Sequence, residues 1–82
     1  MANHKIKLRI IDEALAEKTG PLRRSDNETV YIYGQTGGLD LVCGICESTL
    51  AVNVSLLLVQ GIIMQCNKCK NYNQAEIIHH HN

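Results

Sequence analysis

The chain has 82 residues, a formal net charge of zero, three tyrosines and neither Phe nor Trp. That length allows one domain with a modest core of Leu, Ile and Val, too small to be secure without a staple. The neutral balance argues against a polyphosphate partner, which favours a strongly basic surface, and no apolar run approaches the roughly 20 residues that cross a bilayer.

In chain order, "HKIKLRI" alternates. Ile6, Leu8 and Ile10 take one side and Lys5, Lys7 and Arg9 the other. Period two with a charged outer side predicts an edge or one-sided strand. The start "MANHKIKLRI" has neither the apolar stretch nor the small-residue cleavage site of a secretory leader, so a reducing, cytoplasmic setting is expected. His4 falls in a frayed start and is given no role. "DEALAEKTG" predicts a short helix with Asp12 as its cap, Glu13 in its first turn, Lys18 in its last and Gly20 as its stop.

"RRSDNE", residues 23–28, is polar and predicts a mobile loop. "TVYIY", residues 29–33, is rich in β-branched and aromatic residues and predicts a strand with Tyr31 and Tyr33 on one face. "GQTGG" is a tight connection. The remainder reads as strand, cysteine pair, strand, twice over: "LDLVC" into Cys43 and Cys46, "TLAVNVS" out of them, "GIIMQC" into Cys66 and Cys69, "NQAEII" out of those. "LLLV", residues 56–59, joins the halves as a hairpin tip or apolar turn.

All four cysteines lie in two C-x2-C pairs, with nineteen residues between the pairs. This spacing reads as a zinc site. Two intervening residues let one tight turn aim both sulfurs at a point, and four sulfurs at about 2.3 Å complete a tetrahedron around zinc. Such a site has no open position, which makes it structural rather than catalytic. Four thiolates and one divalent ion would bring the net charge to about minus two. Three other readings use the same cysteines. Iron takes the same ligands, but iron sites of that kind lean on an aromatic core. A thioredoxin-like redox pair belongs at a helix start, whereas both pairs sit among strand signals. Structural disulfides need an oxidising compartment.

On "CGIC" and "CNKC", each following a strand and preceding another, the chain resembles the zinc-ribbon, or rubredoxin-like, class. "DLVCGICESTLAVNV" with "GIIMQCNKCKNYN" is similar to small bacterial proteins that end in such a ribbon. The resemblance covers roughly residues 39–78. It implies one Zn2+ on Cys43, Cys46, Cys66 and Cys69, and it names no activity. The family often carries Gly directly after the second cysteine of each pair. Here Glu47 and Lys70 stand there, so either a neighbour such as Asn71 takes the left-handed conformation or the turn is strained.

Lys68 and Lys70 are placed to offset the charge of a zinc tetrathiolate. His79, His80 and His81 read as a tail or the residue of a tag rather than a metal site. Tyr31 and Tyr33 with Arg23 and Arg24 form the one candidate surface for single-stranded nucleic acid. "LLLV" either folds back onto the N-terminal elements or offers a patch to a partner or a second copy.

The expectation is therefore a single domain over 1–82, mostly β: a small antiparallel zinc-ribbon sheet over 39–78, extended by an N-terminal strand and short helix within 1–38. The expected function is a non-enzymatic binding module acting through a protein partner or self-association, with nucleic-acid binding as the alternative.

Overall fold

A computed structural model describes residues 3–76. The expected strand end at Ile77 and Ile78, and the histidines His79–His81, lie outside the described residues. The elements in chain order are β1 (His4–Lys7), β2 (Arg9–Ile11), α1 (Glu13–Thr19), β3 (Ile32–Tyr33), β4 (Leu39–Val42), β5 (Thr49–Val54), α2 (Leu56–Val59), β6 (Ile63–Gln65) and β7 (Tyr72–Gln74). Strand outweighs helix among the described residues, which hold two short helices.

The expected single antiparallel sheet is replaced by two sheets. One is mixed and four-stranded, in the order β1-β4-β5-β3; the other is three-stranded, in the order β2-β7-β6. The cysteine-bearing hairpins β4–β5 and β6–β7 are both antiparallel, as expected, but belong to different sheets. The N-terminal strand divides at Leu8. Its first half pairs parallel with β4 and its second half antiparallel with β7. Alternation persists through the break: Leu8 is buried, Ile6 and Ile10 are half-buried, and the three cations are exposed. The N-terminal segment thus stitches the two sheets together, and His4, far from fraying, opens β1 by donating its backbone N–H to Gly38.

Leu8, Leu41, Leu50, Ala51, Val54, Val59 and Met64 form the main core, and Cys43 and Cys66 are buried in that same cluster. A smaller cluster of Ile11, Ala16, Ile63 and Tyr72 lies under α1. Asp12 precedes α1 in an extended conformation without a side-chain cap, and Gly20 ends the helix at φ 76. Seven residues are too few to be stable alone, so packing of Ala16 into the smaller cluster must hold the helix in place.

Two further expectations are narrowed. Only Ile32 and Tyr33 of "TVYIY" join a sheet, running parallel with β5. Of the two readings of "LLLV", the apolar turn holds and the hairpin tip does not: it is a single helical turn, α2. It buries Val59 and leaves Leu57 and Leu58 75% and 85% exposed. Gly34 and Gly37 of "GQTGG" pass so close to the Asn53–Val54 backbone that a side chain at either would overlap it. Asn53, at φ 54, holds the loop there by accepting from the Gly38 N–H through Oδ1 at 2.8 Å.

Candidate metal centre

Each hairpin carries its cysteine pair on a tight turn, here called a knuckle, and the two knuckles are built alike. In the first, Cys43 N–H donates to Ser48 O at 2.9 Å and Glu47 N–H to Cys43 O at 3.1 Å. In the second, Cys66 N–H donates to Asn71 O at 2.8 Å and Lys70 N–H to Cys66 O at 2.8 Å. Position for position, Cys43 matches Cys66, Cys46 matches Cys69, Ser48 matches Asn71 and Leu50 matches Asn73.

The conformational cost foreseen at these turns falls on Glu47 and Lys70 themselves, at φ 62 and φ 66; Asn71 does not relieve it. A side chain in the left-handed region costs on the order of 1 kcal/mol. It is tolerated because each turn is fixed by the two backbone hydrogen bonds just named. Glu47 is also paired with Lys7 at 3.6 Å, an exposed contact of small weight.

The structure brings all four predicted ligands together. Their Sγ atoms lie within 4.8 Å of one another, with Cys43–Cys69 at 3.5 Å and Cys46–Cys66 at 3.4 Å. A tetrahedron with metal–sulfur bonds of about 2.3 Å has sulfur–sulfur edges of about 3.8 Å. The thiols are free, and their spacing suits four ligands sharing one ion. Four sulfurs suit zinc or iron and do not suit the hard cations, which take oxygen ligands.

Burial divides the set. The first cysteine of each pair, Cys43 and Cys66, is buried, while Cys46 is exposed and Cys69 half-buried. Desolvation pushes the Cys66 thiol up to about 12. The Ser48 hydroxyl, 3.2 Å from Cys46 Sγ, is the main influence that brings Cys46 down to about 6. Burial acts to raise Cys69, but the Asn71 side chain and backbone outweigh it, helped by Cys43 and Cys66, so that Cys69 falls below the ordinary thiol value. Asn71 Nδ2 donates to Cys69 Sγ at 3.3 Å. Ser48 and Asn71 therefore serve equivalent sulfurs from equivalent positions. The sequence does show a polar residue two places after the second cysteine of each pair, a regularity that would have identified both.

The N-terminal half clamps both knuckles. Gly44 packs so closely beneath Leu8 O that a side chain there would collide with it. On the second knuckle, Asn67 Nδ2 donates to the backbone oxygens of Asp26 and Glu28. This ties down the 23–28 segment, which composition alone marks as a mobile loop.

Three of the four candidate nucleic-acid residues are engaged within the fold. Arg23 pairs with Glu17 and donates to the Tyr72 hydroxyl at 3.1 Å. Arg24 pairs with Asp26 at 2.9 Å and donates to Val30 O. Tyr31 packs against the main core and donates its hydroxyl to Gln65 O at 2.7 Å, while Tyr33 is exposed. Lys68 is exposed, and Lys70 Nζ donates to Asn67 Oδ1 at 3.1 Å. Among the described residues, no helix is long and apolar enough to cross a membrane.

The chain matches no protein-family model, no curated protein and no solved structure.

Proposed function

We propose that this chain is a small binding module whose fold is fixed by one zinc ion held by Cys43, Cys46, Cys66 and Cys69. The observation that carries this reading is the convergence of four free thiols from two sheets to within 4.8 Å. Binding of structural zinc in small peptides is worth about 10–16 kcal/mol, against the net 5–15 kcal/mol or so that an ordinary domain retains. In a small chain of two short-stranded sheets, an ion held between a hairpin of each is a natural staple. Zinc is preferred to iron because it is redox-silent and accepts the tetrahedral geometry that four thiolates impose.

A closed four-thiolate site leaves no position for substrate, so the role is binding and not catalysis. The contact surface is α2, where Leu57 and Leu58 project away from the other described residues. The partner is a protein or a second copy of the chain, in a reducing compartment where the thiolates survive. Engagement of Arg23 and Arg24 by Glu17 and Asp26 favours this over a phosphate-binding surface.

The test is metal removal followed by circular dichroism. Chelation is expected to abolish the strand signal and to expose four reactive thiols, with both reversed by zinc. Retention of the full strand signal by metal-free protein would overturn the structural role.

A further inference from the structure

The two knuckles share their cysteine spacing and backbone hydrogen bonds, and in that alignment Leu50 corresponds to Asn73. Leu50 is fully buried, as a strand residue facing the core should be. Asn73, its counterpart on β7, is equally buried and is the sole buried polar residue among the described ones. A polar amide at a core position is costly unless its groups are paired, and each of its pairings here leads toward the sulfur cluster. Oδ1 accepts from the N–H of Gly44, inside the opposite knuckle, at 2.9 Å. Nδ2 donates to Cys43 Sγ at 3.6 Å and to Asn71 O at 3.3 Å. Asn71 in turn donates to Cys69 Sγ.

Resting on the metal reading above, we infer that Asn73 is the positioning residue of the site: it orients Cys43, bolts the first knuckle to the second hairpin and sets metal affinity from outside the ligand set. Cys43 is fully buried, as is Cys66, and the Ile45 N–H at 3.4 Å is its other nitrogen donor. A donor to a thiolate stabilises its charge and fixes its lone pairs, so loss of the Asn73 amide alters the electronics of one ligand as well as its position. A residue that merely filled space at this point would be Leu, as it is at the matching site.

Two variants test the inference. Asn73→Leu copies the residue at the equivalent position and so suits a core site. Asn73→Ser stays polar but is too short to reach Cys43. Affinity is read by chelator competition with Zn2+, and the electronics by the thiolate-to-cobalt charge-transfer bands at saturating Co2+. Each variant that folds is expected to bind one ion, about 10–100-fold more weakly than the parent chain, with displaced charge-transfer bands. Wild-type affinity with unshifted bands in either variant overturns the inference. Failure of the parent chain itself to bind Zn2+ or Co2+ is a different result, and overturns the metal reading on which this one rests.

Discussion

Cys46 and Cys66 face each other from opposite knuckles with their sulfurs 3.4 Å apart, one exposed and the other buried. Their thiols are displaced in opposite directions, to about 6 and about 12. In the folded arrangement before an ion is seated, the exposed sulfur is thus the readier thiolate at neutral pH. The buried one keeps its proton until the metal displaces it.

Metal binding should therefore release protons at pH 7, including one from Cys66, and affinity should fall as pH falls, because each thiolate must be won from a proton. Affinity is expected to fall more steeply with each pH unit below the Cys46 value of about 6, where that thiol too must give up a proton to the ion. Calorimetry in buffers of different ionisation enthalpy counts the protons. A count of zero at pH 7 would contradict the protonated Cys66.

The left-handed turns give a stabilising prediction. Glu47→Gly and Lys70→Gly remove a side chain from a conformation only Gly adopts freely. Each should raise the stability of the metal-loaded protein by up to about 1 kcal/mol, since the chain entropy of the new glycine offsets part of the gain. Denaturant midpoints with and without Zn2+ provide the check. Destabilisation by both variants would mean that the knuckle side chains make contacts of greater weight than the Lys7 and Asn67 pairings.

The turns also mark how far the sequence reaches. Both hairpins, the helix that ends at Gly20 and the four-cysteine cluster are legible from periodicity, the glycine stop and spacing. The division of the first strand at Leu8 is not, because alternation reports which side faces inward and is silent on which strand lies alongside. "LLLV" stays divided between two readings for a related reason: four consecutive apolar residues have no period to separate a helical turn from a strand end. Asn73 is hidden because a single Asn in a strand of "YNQ" looks like a surface residue until the opposing knuckle is placed against it.

At the far end of the first sheet, Asp40 Oδ1 accepts from Asn3 Nδ2 at 2.8 Å and from the Asn53 N–H at 3.0 Å. These bonds, the Asn3 one foremost, hold its carboxyl below the ordinary value of 3.8. A carboxyl lowered by folding contributes stability that is present above the unfolded value and lost as pH falls through the folded one. Asp40→Ala should lower Tm by a few degrees at pH 7, with the difference shrinking toward pH 3. A gap that stays constant across that range would assign the effect to packing rather than to charge.

Leu57→Asp addresses the contact surface. Leu57 is 75% exposed, so the change should leave Tm and metal content within error while abolishing self-association or partner capture. Sedimentation velocity over a concentration series, run for both chains, reads this directly. Identical monomeric behaviour of the two, with no partner retained by either, would remove α2 from the account.

The central claim is that one ion joins the two hairpins. Native mass spectrometry of freshly prepared, untagged protein, with elemental analysis of the same sample, measures it most directly. The account predicts a single species carrying one zinc and four thiolates, which loses that mass together with its compact charge-state distribution when chelated. A metal-free chain that keeps the compact distribution with all four thiols reactive would contradict it.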